Sequence, residues 1–325
     1  MESTDLKTGF WKDGYVIVKG VVAPSELQPL RQAVLAAFDA RHLAYGDAAP
    51  QEAAPTEQLR PSDLLEHLPG IVKLQFAPAI LAAARQIYGD NFSYVNDFHI
   101  QRNQRLIPGS AGWHIDAGSN FALRYLNNAL GVNEFRFGKI GVYLQSGRCP
   151  VGGSIDLIPK SHRIGRIFRS LVLRLLESRF NRKLSGSGAG LGVARLLGAI
   201  SLDELIEPGD CVIFDCRLVH RSSPAPARPD LAAAGDSFKD KLTAYWELGD
   251  GPSTVKFLRN DLVRALAHEN VPRRAGQVKS FSHYLRLKYP NDYPAWYVEQ
   301  VNAQKVNVAQ FENERDLDIA RRIYA

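Results

Sequence analysis

The chain has 325 residues, 45% hydrophobic and 23% charged, a composition that fits a globular protein and excludes disordered and fibrous classes. Its length exceeds what one core usually serves, so one large domain with insertions, or a domain with an appendage, is expected. The net charge is +6, yet between Lys160 and Ile200 nine basic residues accompany one acid, Glu177; that segment carries +8 and the rest of the chain −2. The basicity thus belongs to an insertion, not to the whole protein. Three cysteines (Cys149, Cys211, Cys216) are too few for a disulfide framework and favour a reducing compartment. The polar N-terminus has no charged and then apolar run, so no signal peptide is expected. No stretch approaches the roughly 20 apolar residues of a membrane span. A cytoplasmic protein, soluble or peripheral to a membrane, is the expectation.

In chain order, 14–22 predicts a short strand and Ser25 caps a helix with Leu27, Leu30, Val34, Leu35 and Phe38 at helical spacing. Residues 45–62, rich in Ala, Pro and Glu, predict a loop, and 71–88 a helix. From residue 93 the apolar period changes to 2, with strands predicted over 93–103, 139–145, 154–158, 211–215 and 242–248. Short strands between Gly/Pro turns predict an antiparallel sandwich or barrel, whose polar strand faces can line an interior. Helices return over 255–268 and 300–325, with an aromatic stretch between them (Phe281, Tyr284, Tyr289, Tyr293, Trp296, Tyr297).

Two short segments carry the chemistry: Trp113-His114-Ile115-Asp116 and Leu218-Val219-His220-Arg221-Ser222. His-x-Asp on a strand points both side chains to one face, about 7 Å apart at Cα. A second histidine from a partner strand completes a two-histidine, one-carboxylate set, which leaves open positions on an octahedral ion and suits Fe(II). His114, Asp116 and His220 are therefore the candidate metal ligands. Of the other histidines, His162 reads as a structural loop residue and His99 as a core residue or substrate contact. His42, His67, His268 and His283 read as surface.

Around these residues the sequence resembles the phytanoyl-CoA dioxygenase family of Fe(II)/2-oxoglutarate oxygenases. The matching pieces, in family order, are Asp13-Gly14-Tyr15-Val16-Ile17-Val18-Lys19-Gly20, the His114-Ile115-Asp116 segment, Gly152-Gly153-Ser154-Ile155-Asp156-Leu157-Ile158-Pro159-Lys160-Ser161-His162, and Pro208-Gly209-Asp210 leading to His220-Arg221-Ser222. The resemblance implies an α+β protein, mainly β with helical layers, built on a double-stranded β-helix (jelly-roll, cupin-like) core. It implies iron on His114, Asp116 and His220, with O2 and 2-oxoglutarate as co-substrates, 2-oxoglutarate being decarboxylated to succinate while an aliphatic C–H is hydroxylated. The presence of Asp116, a carboxylate that related halogenases lack, implies hydroxylation, desaturation or ring formation rather than halogenation. The family's arginine for the far carboxylate has no match in register. Lys239 falls at that position, Lys241 shares its parity and face, and Arg228 precedes them in a Pro-flanked loop. A lysine supplies the charge without the planar fork. Ser222 adds a hydroxyl two residues after His220, and Tyr143 and Gln101 are candidates to line the same cavity. The alternatives are a silent jelly-roll binding module and a cupin-like metalloenzyme that does not use 2-oxoglutarate.

Residues 1–250 are expected to form the oxygenase domain, with 163–200 as a basic helical insertion, and 251–325 a helical extension. Within the insertion Ile164, Ile167, Phe168, Leu171, Val172, Leu175 and Leu176 form an apolar helical stripe, with Arg163, Arg166, Arg169 and Arg174 on the remaining surface. Ser185 to Gly190 reads as a hinge. Two readings stay open: a hairpin covering the barrel mouth with solvated arginines, or a segment (163–183) that docks on anionic lipid or recognises an anionic substrate. The substrate is expected to be a small molecule, a natural product or one linked to lipid or glycan. No nucleic-acid partner is expected, since base-reading elements are not evident.

Overall fold

A helix over Leu6–Asp13 starts where the Asp5 carboxylate accepts from the Thr8 N–H, and ends at Gly14, whose φ of 91° turns the chain into the first strand. The structure, a computed structural model, describes residues 5–45, 57–59, 65, 67–102, 112–116, 136–149, 153–178, 191–223, 240–255, 257 and 293–308. Among them the strands are β1 (Tyr15–Val18), β2 (Glu57–Leu59), β3 (Phe92–Arg102), β4 (Phe137–Tyr143), β5 (Ile155–Leu157), β6 (Ile200–Ser201), β7 (Cys211–Asp215), β8 (His220–Ser222), β9 (Leu242–Asp250) and β10 (Asn307–Val308).

The larger sheet runs β1-β7-β4-β9-β3-β10, with β2 beside β3, and the smaller runs β6-β5-β8 and continues to His114 through a bridge to His220. Eight core segments, numbered in chain order from β3 with the His114 bridge as the second, therefore lie sixth–third–eighth–first in one sheet and second–seventh–fourth–fifth in the other. That alternation between two sheets is jelly-roll topology. With the flanking helices the protein is α+β, mainly β in its core.

By internal contacts the chain divides into two compact units: 1–58, 100–116 and 141–244 in one, and 59–99, 117–140 and 245–325 in the other. In the first, Tyr143, Val212 and Phe214 from the larger sheet pack on Ile155 and Leu157 from the smaller, together with Leu202, Ile206 and Leu218. The Pro208-Gly209-Asp210 turn fastens this unit at one edge. The Asp210 carboxylate accepts from the Gly20 N–H (2.9 Å) and the Glu207 N–H (2.8 Å) and pairs with Lys19 (2.6 Å). In the second unit, Tyr297 and Tyr94 both reach Gln75, the former through its side chain and the latter through its carbonyl.

Three expectations from the sequence are corrected. The predicted 71–88 helix is broken: Pro69–Val72 is followed by a 3₁₀ turn, and a new helix starts at Pro78. Ala77 has ψ 132°, as steric exclusion of the helical region before proline requires. The C-terminal helix occupies Ala295–Gln304 and stops at Lys305, after which β10 joins the edge of β3 in parallel; open backbone groups on that edge gain partners. In the insertion, the Arg166–Glu177 helix splits the stripe, burying Leu176 and leaving three of its residues outside. Phe168, Leu171 and Leu175 are exposed while Arg169 is buried. Its guanidinium donates to the carbonyls of Ser161 (3.3 Å), His162 (3.0 Å) and Ile164 (2.7 Å), and burial lowers its pKa to about 10. The carbonyls that end the preceding 3₁₀ turn thus draw this arginine inward. The 185–190 hinge, the 281–289 aromatics, His268, His283, most of the predicted 255–268 helix and residues 309–325 lie outside the described residues.

Candidate metal centre

Leu218, packed in the core beside Phe214, leads into β8, which places His220 opposite His114. The two residues exchange backbone hydrogen bonds of 2.8 and 2.9 Å, so their side chains leave the sheet on one face as an antiparallel neighbouring pair. Their rings lie 4.3 Å apart. Each imidazole is held by the same local device. His114 Nδ1 lies 2.8 Å from the Gly112 carbonyl, and His220 Nδ1 lies 2.9 Å from the Leu218 carbonyl. A carbonyl only accepts, so each Nδ1 carries the proton and each Nε2 keeps its lone pair for a metal.

Asp116 is the third candidate ligand. Its Oδ1 lies 3.6 Å from His114 Nε2 and its Oδ2 lies 3.5 Å from His220 Nε2. The three ligating atoms all fall within 4.8 Å of one another, within reach of a single ion. His220 is buried, whereas Asp116 and His114 are partly open, so the set is closed on the protein side and accessible on the other. The Phe214 ring, 4.8 Å from His220, covers part of the closed side.

On the opposite face of β8, Arg221 pairs with Asp156 across β5 at 2.8 Å, and Ser223 Oγ donates to the same carboxylate at 2.8 Å. Arg221 is fully buried and its guanidinium stacks 4.9 Å from the Trp113 ring. Each of these neighbours adjoins a candidate ligand in sequence: Arg221 follows His220, and Trp113 precedes His114. The charge pair and the stack therefore fix both ligand segments from behind. Sequence reasoning missed this role; alternating charged residues on strands read as solvent-facing until their partner is known.

Lys241 is buried at the entrance to β9, donating to Ser222 Oγ (2.6 Å) and the Ser154 carbonyl (3.0 Å). Burial lowers its pKa to about 8, with Asp203, Cys149 and Asp156 opposing that shift. Arg31 clamps the segments on either side, donating to the carbonyls of Leu144 (2.8 Å) and Asp240 (3.1 Å), and Gln145 Oε1 accepts from the Leu242 N–H (2.7 Å). Of the three cations considered as anchors, Lys241 is thus held inside the protein next to Ser222; Lys239 and Arg228 lie outside the described residues. Tyr143 is fully buried in the core cluster, and Gln101 sits half-buried on β3. His162 is buried with Nε2 3.1 Å from the Trp11 carbonyl, His99 is buried 5.4 Å from the Tyr245 ring, and His67 is exposed.

No helix among the described residues is long and apolar enough to cross a membrane. No protein-family model matches the chain, and no curated protein matches it. Similar solved structures include EctD from S. alaskensis with bound Fe, at 17% identity over 78% of this chain and 80% of that one, TM-score 0.49. The non-heme alpha ketoglutarate dependent carbocyclase SnoK from nogalamycin biosynthesis is similar at 16% identity over 77% and 84%, TM-score 0.49. The corresponding epimerase SnoN is similar at 17% identity over 76% and 82%, TM-score 0.46.

Proposed function

We propose that the chain is a non-haem Fe(II)/2-oxoglutarate-dependent oxygenase that hydroxylates an aliphatic C–H bond of a small molecule. The observation that carries this reading is the His114–Asp116–His220 set, in which two Nε2 lone pairs and one carboxylate come within 4.8 Å of one another. Two neutral imidazoles and one carboxylate leave a divalent ion with net positive charge and unfilled positions, the donor set suited to ferrous oxygen chemistry. Bound there, Fe(II) supplies activation of O2 coupled to decarboxylation of 2-oxoglutarate to succinate.

The protein's own residues provide the rest. Lys241, inside the protein and bonded to Ser222, offers an ammonium for the far carboxylate of a dicarboxylate, and Ser222 adds a hydroxyl that can donate to the same group. Ser222 stands two residues beyond His220 on β8, about 7 Å along the strand, a separation that a five-carbon diacid spans. Asp116 would give a bound metal an anionic oxygen donor beside the two imidazole nitrogens and offset part of its charge. The pair Arg221–Asp156 keeps the ligand segments in register. A buried cation already in place supports the co-substrate reading over a silent binding module.

The test is anaerobic loading with Fe(II) and 2-oxoglutarate, followed by oxygen and quantification of succinate. Succinate formed in proportion to enzyme turnovers, and lost in Asp116→Ala, is the expected result. No succinate, with no calorimetric binding of 2-oxoglutarate to the metal-loaded protein, overturns the reading. Candidate substrates are then screened for the gain of one oxygen atom in mass.

A further inference from the structure

The Arg166–Glu177 helix buries Leu176 but presents three large apolar residues outward. Phe168 is 66% exposed, Leu171 54% and Leu175 41%, at i, i+3 and i+7 on one face. The short Val193–Leu196 helix packs beside it and adds Leu196, 85% exposed, and Leu197, 36% exposed. Five large apolar side chains thus face water on two adjacent helices, whereas helices in globular proteins turn that stripe to the core. The two helices and the turn before the first carry exposed Lys160, Arg163, Arg174 and Arg195, and Glu177 is the one acid between 160 and 200.

Apolar residues rimmed by cations match one kind of surface, an anionic bilayer: the aliphatic and aromatic tips enter the acyl boundary while arginines meet the headgroups. A second copy of this chain would bring the same positive rim against itself, and nucleic acid offers no acyl layer for Leu171, Leu175 and Leu196. Arg169 contributes from beneath. Its bonds to the carbonyls of Ser161, His162 and Ile164 anchor the helix to the end of the 3₁₀ turn and hold Phe168 outward. We infer that the outward face of 163–177 and 191–197 docks the protein on anionic membranes. This surface is independent of the metal centre, and its test needs no turnover.

The full chain is sedimented with phosphatidylcholine vesicles, with and without phosphatidylserine, at low and high salt. Sedimentation with phosphatidylserine vesicles at low salt, and release by high salt, is the expected result. Phe168→Ser and Leu196→Ser each weaken it without lowering the melting temperature, because both side chains are exposed. Replacing Arg163 and Arg195 with Gln lowers partitioning about 25-fold, each cation near an anionic leaflet contributing roughly fivefold. Equal binding to neutral vesicles, no binding at low salt, or unchanged binding of all variants overturns the inference. So does a chain that self-associates without vesicles and loses that association on Phe168→Ser, which would assign the face to a second copy.

Discussion

His114 and His220 each donate a backbone hydrogen bond to the other, at 2.8 and 2.9 Å, so the registry of this bridge and the spacing of two candidate metal ligands are one property. A shift of one residue in either strand would send one imidazole to the opposite face. Substituting one histidine removes a ligand but leaves this backbone pair. His220→Ala is expected to weaken Mn(II) or Co(II) binding by more than ~100-fold, beyond the usual 10–100-fold cost of losing an outer partner of a ligand, with the circular dichroism spectrum retained. Titration calorimetry checks this; affinity within tenfold of the parent chain would place the metal elsewhere.

Asp156 and Arg221 face away from the ligands yet hold both of their segments. Asp156→Asn leaves the buried Arg221 guanidinium without its counter-charge, a change expected to cost about 3–5 kcal/mol of stability and to lower metal affinity about 10–100-fold. The double substitution Asp156→Leu with Arg221→Met removes both charges and is expected to be more stable than the single one, because neither charge is then left buried alone. Denaturant midpoints of the two variants decide it. A double variant as unstable as the sum of its singles would mean the pair does not act as a pair.

Gly14 is held between a conformational and a steric requirement. Its φ is +91°, and a Cβ there would lie 2.6 Å from both His162 Nδ1 and Leu218 Cδ1. Left-handed backbone and overpacking together predict a loss of about 2–4 kcal/mol for Gly14→Ala. Gly20 is also left-handed, at φ +62°, but has open space around it, so Gly20→Ala is expected to cost only about 1–2 kcal/mol. Equal losses at the two sites, measured by chemical unfolding, would remove the steric contribution of His162 and Leu218.

The candidate cluster was legible because the two short motifs carry donor chemistry of their own: His114, Asp116 and His220 lie within 4.8 Å of one another, although Asp116 sits in a bend rather than on a strand. The break before Pro78 was local and was missed only because the apolar spacing runs straight through it. What the sequence did not disclose lies in long-range pairing. Asp156 and Arg221 are 65 positions apart, and nothing in either strand marks the other as partner. The insertion shows a second limit. Helical spacing groups Phe168, Leu171 and Leu175 on one face, but which way that face points depends on Arg169 finding three carbonyls in the preceding turn.

Lys241 gives the site a dependence on pH whose sign follows from its burial. The ammonium is disfavoured inside the protein, so its pKa falls from the ordinary 10.5 to about 8 in the folded, ligand-free state. Between those values the unfolded chain holds a proton that the folded chain has released; the contribution of this group to stability therefore increases with pH across that window and is flat below it. Binding of a dicarboxylate runs the other way, since it needs the charged form. Affinity of the metal-loaded protein for 2-oxoglutarate is expected to be level below about pH 8 and to fall by up to about tenfold per unit above it. Lys241→Met is expected to weaken that binding at neutral pH and to abolish the step, while leaving metal affinity within a fewfold of the parent chain. Calorimetry across the range reads both effects. Affinity that stays level to about pH 10, or a step that survives Lys241→Met, would take Lys241 out of the anchoring role, because no other property of a buried methionine could reproduce a proton-linked loss.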